Sequence, residues 1–158
     1  MRVELDEPRQ RLYGITYPGG RLIVKDLVSG AITDKGQAAH NGYAMPYLFA
    51  DGRAYFFSRP GKIARYDPDT DAIEEVLTLP EAPNQAPIDA NSLYSSMLRG
   101  LDAGRLSAVG AIKAGKQSFL YRFTVPPDRK GACGFRWLGE VPQEASSTLL
   151  APNGDILA

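Results

Sequence analysis

The chain has one cysteine, Cys133, among 158 residues. No disulfide can form within it, and no cysteine-built metal centre is available. It has one histidine, His40, and one tryptophan, Trp137. Neither sign of charge predominates, since 18 Lys plus Arg face 18 Asp plus Glu. Without net charge there is no global field to draw the chain to nucleic acid or an anionic membrane. No stretch approaches the ~20 consecutive apolar residues of a membrane span. Neither nucleic acid nor membrane is expected as a partner, and no cofactor is expected.

What is abundant is turn chemistry, with Gly at 16 and Pro at 12, a composition that suits a chain broken by many tight turns. Asp51-Gly52-Arg53, Asp102-Ala103-Gly104-Arg105 and Asn153-Gly154-Asp155 each lie between short apolar runs, and they recur at a spacing of 51 residues. Asp-Gly and Asn-Gly between apolar runs read as hairpins whose two central residues take positive φ. Arg11-Leu12-Tyr13, Arg53-Ala54-Tyr55 and Arg105-Leu106-Ser107 occupy one equivalent position. After each comes a glycine turn, Tyr17-Pro18-Gly19-Gly20, Ser58-Arg59-Pro60-Gly61 and Ala114-Gly115-Lys116, then a third strand, a polar turn and a fourth strand.

Each unit is therefore four short strands joined by hairpins, and a repeat of roughly 42 to 52 residues with four strands is the mark of propeller blades. A sandwich also has evenly spaced short strands, but it does not predict internal similarity at a fixed period. The expected fold is all-β: about three to three and a half four-stranded antiparallel β-propeller blades in an incomplete ring, without regular helix. Residues 1–158 form one partial domain, with blades at approximately 1–37, 42–81 and 92–142 and the start of a fourth at 146–158. Between four and eight blades close a ring, so the outermost faces call for further blades. These would come from the rest of a longer chain, which the abrupt end favours, or from self-association.

The first unit, Tyr13-Gly14-Ile15-Thr16-Tyr17-Pro18-Gly19-Gly20 through Lys25-Asp26-Leu27 and Gly30, resembles blades of kelch-like propellers. The second, Asp51-Gly52-Arg53-Ala54-Tyr55-Phe56 with Gly61-Lys62-Ile63-Ala64-Arg65-Tyr66-Asp67-Pro68, looks like the blades of the streptogramin lyase and gluconolactonase group. The resemblance is at the level of the blade, which hosts many functions. A streptogramin lyase-like site would need a catalytic histidine in a blade context that His40 does not match. An oligogalacturonate lyase-like metal site would need several histidines.

His40 lies in the loop leading into the second unit, beside Asn41 and Tyr43. In a propeller such loops surround the channel on the face where ligands bind, so His40 reads either as a general base or metal ligand or as a solvated loop residue. Equivalent loops carry Asn91, Ser92 and Tyr94, and then Ser146 and Ser147. The turns between second and third strands bring Tyr17, Arg59 and Lys113 to the same face. Together they form a neutral, polar and aromatic rim suited to a carbohydrate or to a protein partner. Asp67, Asp69 and Asp71 alternate like a calcium loop but lack its Gly and distant Glu, and a turn capped by its own carboxylates explains them. Trp137 and Phe135 are expected between blades, Cys133 as a small buried hydrophobe, and Asp128-Arg129-Lys130 as a solvated turn. The expected function is a binding or interaction scaffold. The alternative is a segment of a propeller enzyme, a lyase or hydrolase on carbohydrate or lactone substrates, with His40 in its site.

Overall fold

A computed structural model of the chain describes residues 3–40, 44–88, 98–99, 106–141, 149–150 and 156–157. Among these residues there is no helix. The strands are β1 (Val3–Asp6), β2 (Arg11–Ile15), β3 (Arg21–Asp26) and β4 (Ile32–Gln37), then β5 (Tyr47–Leu48), β6 (Ala54–Arg59), β7 (Lys62–Asp67) and β8 (Ala72–Thr78). They continue as β9 (Leu98–Arg99), β10 (Ser107–Ala114), β11 (Gln117–Thr124), β12 (Gly134–Val141), β13 (Leu149–Leu150) and β14 (Ile156–Leu157). The first twelve form three antiparallel four-stranded meanders, β1–β4, β5–β8 and β9–β12, and β13 pairs with β14 alone. These are blades 1, 2 and 3 and the first hairpin of a fourth, and the ring is not closed.

Register fixes the equivalences between blades. Leu5 pairs with Leu12 and Leu12 with Lys25 in blade 1, as Leu48 pairs with Ala54 and Ala54 with Tyr66 in blade 2. In all three blades a bulge interrupts the pairing of the third and fourth strands, at Arg21/Ile23, Ile63/Ala64 and Leu120/Tyr121. Such bulges add local twist.

Side chains alternate across a strand, so each blade has two flat faces to bury. Tyr13, Ile15, Leu22 and Val24 of blade 1 pack on Leu48, Ala54, Phe56, Ala64 and Tyr66 of blade 2. The other face of blade 2, with Tyr47, Tyr55, Phe57 and Ile63, packs on Ala108, Ile112, Tyr121 and Phe123 of blade 3. Aromatic rings dominate this second seam. Phe49 meets Tyr55 and Phe123 edge-on at 5.1 and 5.6 Å, and Phe57 meets Tyr121 at 6.1 Å. Phe135 stacks on Tyr121 at 5.1 Å, and Trp137 meets both Phe119 and Phe135 edge-on. Half-buried Cys133 packs against the same cluster.

Burial along the strands follows from this layering. Blade 2 is covered on both sides, so Ala54, Tyr55, Phe56 and Phe57 are buried in succession. Blade 1 is covered on one side, so β1 alternates, with Glu4 and Asp6 buried and Val3 and Leu5 exposed. The fourth strands β4 and β8 are largely exposed, as the outer strand of a blade must be.

The Asp51-Gly52 turn differs from the two-residue hairpin expected. It is a four-residue turn in which Gly52 N–H donates to the Phe49 carbonyl at 3.0 Å, and only Gly52 is left-handed, with φ 75°. Asp51 keeps ordinary φ because its carboxylate is used locally, accepting from Arg53 N–H at 3.0 Å and from the Tyr55 hydroxyl at 2.7 Å. A Cβ at Gly52 would lie 2.6 Å from Arg9 Nη1, so the glycine also admits a side chain from blade 1.

Truncating a ring in either seam removes its apolar contacts and leaves a void. Phe56→Ala and Phe123→Ala are each expected to cost about 3–5 kcal/mol, read from denaturant unfolding midpoints. Val28→Ser, at an 81% exposed turn position, is expected to change stability by less than about 0.5 kcal/mol.

Candidate functional site

The two ends of the blades differ in what their polar groups do. One end carries the turns between second and third strands together with the segments that cross from one blade to the next. Here the Tyr17-Pro18-Gly19-Gly20 turn is closed by Gly20 N–H donating to Thr16 O at 2.8 Å. Gly20, at φ 63°, has no room for a side chain because the Ala39 carbonyl occupies that space. The Gly20 carbonyl accepts from Ala38 N–H and Ala39 N–H, both at 2.8 Å, and Gln37 Nε2 donates to the Gly19 and Ala39 carbonyls. His40 N–H then donates to the Ser58 carbonyl at 2.7 Å. This ladder lays residues 37–40 across blade 1 and onto the end of β6 in blade 2.

Four of the rim residues expected from the sequence, Tyr17, His40, Arg59 and Lys113, are described, and the ladder gathers the segments of the first three at this end. Tyr17 is 56% exposed on the β2–β3 turn. His40 is exposed, its backbone fixed by Ser58. Arg59 is exposed but committed, its Nε and Nη2 donating to the two oxygens of Glu75 at 2.9 and 3.0 Å. That turns the guanidinium toward the outer strand β8, where it makes a bidentate pair. Lys113 is also exposed, at the end of β10. Asn41, Tyr43, Asn91 and Tyr94, with Ser92, Ser146 and Ser147, lie outside the described residues.

Beyond Arg59 the crossing segment 79–88 lies along blade 3. Asn84 Nδ2 donates to the Ala114 carbonyl at 3.0 Å, Gly115 N–H to the Pro87 carbonyl at 3.2 Å, and Trp137 Nε1 to the Glu81 carbonyl at 2.9 Å. Between this segment and the Pro60-Gly61 turn runs a groove of about 590 Å³, lined by Leu79, Pro80, Ala82, Gln85, Pro87 and Ile88 among others.

At the opposite end the charged groups satisfy one another. Arg53 Nε donates to Asp67 at 2.7 Å, and both side chains are buried. Arg53 Nη1 also reaches the Arg129 carbonyl at 3.1 Å. Arg129 binds Asp67 at 3.3 Å and Asp69 at 2.7 Å, and Arg9 of blade 1 binds the other oxygen of Asp69 at 3.3 Å and Asp6 at 3.4 Å. Lys35 and the Tyr66 hydroxyl both hold Asp71, at 2.9 and 2.7 Å. The alternating aspartates thus bind cationic side chains and cap their own turn, Asp69 N–H donating to Asp67 at 3.0 Å. Asp128-Arg129-Lys130 is not merely a solvated turn, because Arg129 crosses from blade 3 to blade 2. Its reach depends on an unusual left-handed backbone, φ 63°, which nothing in a polar Asp-Arg-Lys sequence announces.

Titration follows the same geometry. Burial raises the phenols of Tyr13, Tyr55 and Tyr66, and hydrogen bonds to Asp6, Asp51 and Asp71 raise them further; burial alone dominates at Tyr121. Burial would also raise the Asp67 carboxyl, but Asp69 N–H and the Arg53 guanidinium outweigh it and hold the group below the usual carboxylate range.

No protein-family model and no curated protein sequence matches the chain. Solved structures do. Virginiamycin B lyase from Staphylococcus aureus superposes with a TM-score of 0.59 at 14% identity, over 98% of this chain and 46% of its own. A 6-phosphogluconolactonase-like protein from Bacteroides uniformis superposes with a TM-score of 0.53 at 14% identity, over 96% of this chain and 44% of its own. These similarities establish the propeller-type fold, and the chain spans less than half the length of either neighbour.

Two pH effects are expected. Asp67 titrates lower in the folded chain than in the unfolded one, so its contribution is full above about pH 4 and is lost as pH falls through the folded value. Arg53→Met removes the main cation, should cost about 3–5 kcal/mol at neutral pH, and should flatten the acid limb of stability against pH. The four raised phenols act in the opposite sense. Their stabilising effect is full below the unfolded tyrosine value of about 10 and declines above it. An ultraviolet titration should therefore show these phenolates appearing only as the chain unfolds in alkali.

Proposed function

We propose that the chain is a propeller-type binding scaffold that recognises a hydroxylated, carbohydrate-like ligand at the end where its blades cross over. The observation that supports this is the hydrogen bond from His40 to Ser58, which draws the segment bearing His40 against the end of β6 that bears Arg59. Tyr17, His40 and Arg59 are then exposed at one end, while the charges of the opposite end are taken up within the blades. A phenol ring offers an apolar face with a polar edge. The Arg59–Glu75 pair offers fixed donors beside acceptors, an arrangement that matches vicinal hydroxyls.

The second reading is a segment of a propeller enzyme acting on a carbohydrate or lactone, and it is favoured by two neighbours that carry lyase and lactonase names. In that reading His40 contacts the substrate.

A glycan array probed with the chain should retain defined sugars. Tyr17→Ala and Arg59→Ala should each weaken binding by about tenfold or more, roughly 1.4 kcal/mol, with unfolding midpoints unchanged. An array without retained sugars, or variants that bind as the parent does, would defeat the scaffold reading. Lyase or lactonase turnover abolished by His40→Ala would establish the enzymatic one instead.

A further inference from the structure

Arg11 lies at the clamped end but takes no part in the clamp. It opens β2 two residues before Tyr13, and so leaves blade 1 on the face that meets blade 2. Where the apolar seam of blades 1 and 2 ends, there is a cleft of about 350 Å³. Arg11, Asp26, Thr33 and Lys35 of blade 1 line it, with Tyr66 and Asp71 of blade 2. Register explains the gathering. Arg11 lies opposite Asp26, and Val24, the next residue on the face of Asp26, lies opposite Thr33.

The carboxylates of this cleft are largely committed. Asp26 Oδ1 accepts from Val28 N–H, Ser29 N–H and the Ser29 hydroxyl. Asp71 accepts from the Tyr66 hydroxyl at 2.7 Å on one oxygen and from Lys35 at 2.9 Å on the other. The donors are not used to the same extent. Among the described residues the Arg11 side chain donates no hydrogen bond, and its one ion pair, Nε to Asp26 Oδ2 at 3.8 Å, is too long to be one. A guanidinium carries five N–H donors in a planar fork, and this one is 36% exposed, open to a ligand from solvent.

We propose that the cleft binds the carboxylate of a small organic acid, with Arg11 as its bidentate donor. The fork of a guanidinium matches the two oxygens of a carboxylate, a fit that an ammonium lacks. Charge selects a monoanion. Arg11 and Lys35 balance Asp26 and Asp71, so a carboxylate adds one negative charge to a neutral cleft, where a phosphate dianion adds two beside two carboxylates. The site lies at the opposite end of the blades from Tyr17, His40 and Arg59 and does not rest on the reading given for them.

Nuclear magnetic resonance of the nitrogen-15-labelled chain, titrated with sodium acetate against sodium chloride at equal ionic strength, tests this. The Arg11 Nε–H signal and the amides of Asp26 and Thr33 should shift saturably, with half-saturation at about 1–10 mM, and inorganic phosphate should bind more weakly than acetate. Arg11→Gln should abolish saturation. Arg11→Lys, which keeps the charge without the fork, should raise the half-saturation at least about fivefold, and both variants should unfold at the parent's midpoint. Arg21→Gln, whose guanidinium Asp34 already holds, should bind acetate as the parent does. Shifts that do not saturate, saturation that survives Arg11→Gln, loss of binding shared by Arg21→Gln, or phosphate binding tighter than acetate would each overturn the proposal.

Discussion

Everything in this molecule follows from the need of a four-stranded sheet to cover two flat faces. A blade of this size has no interior, since every side chain leaves on one side or the other. Its apolar groups leave water only when a neighbouring blade lies against them. Burial of a single aromatic or branched side chain contributes about 1.5–3 kcal/mol, and the seam between blades 2 and 3 collects such groups in quantity, from Tyr47, Phe49, Tyr55, Phe57 and Ile63 on one side to Tyr121 and Phe123 on the other. The same need decides the burial of each strand. Strand β6 of blade 2 is buried on both faces over Ala54 to Phe57, where β1 of blade 1 alternates.

Filling seams with tyrosine brings a polar atom into an apolar layer, and an unpaired buried hydroxyl costs about 1–3 kcal/mol. The chain resolves this in two blades with a repeated local device, whereas the Tyr121 hydroxyl of blade 3 is buried with no hydrogen-bond partner among the described residues. An aspartate at the first turn accepts from the tyrosine of the second strand, Asp6 from Tyr13 at 2.9 Å and Asp51 from Tyr55 at 2.7 Å. The aspartates in turn recruit cations. Arg53 lies between Asp51 and Asp67, and Arg9 reaches from Asp6 to Asp69. With Arg129 added, the turns of three blades are joined at one end by ion pairs, several of which are partly withdrawn from water and so less screened than surface pairs. This network is a consequence of the aromatic seams and also a clamp on them.

Strand pairing within a blade was readable because it is local. Asp51-Gly52, Pro60-Gly61 and Asp69-Thr70 stand between apolar runs, and each run pairs with the next one along. The repeat at the spacing of those turns then carried the architecture. The clamp was not readable in the same way. Arg129 meets Asp67 and Asp69 across 62 and 60 residues of chain, and no periodicity links an arginine in one blade's outer turn to aspartates in another's. Arg59 illustrates the converse. Its place at the end of β6 was evident from Pro60-Gly61, yet its direction was set by Glu75, which lies on β8 beyond β7 and off Arg59's own register line. Sequence position assigns such a residue to an end of the blade, and its outer-strand neighbour decides which way it points.

The division between the two ends also bears on where recognition can evolve. Residues of the clamped end are constrained in pairs, because removing either member strands a charge in a partly buried site. At the other end the ladder from Gly20 through Ala38 and Ala39 to His40 and Ser58 is made almost wholly of backbone groups. A backbone ladder holds its shape whatever side chains it carries. The segments that present Tyr17, His40 and Arg59 are therefore placed mainly by main-chain bonds, with Gln37 Nε2 adding two side-chain bonds and Gly20 required because the Ala39 carbonyl fills its side-chain space. An end whose scaffold rests mainly on main-chain bonds is suited to contact ligands, and an end whose charges are mutually committed is suited to hold blades together.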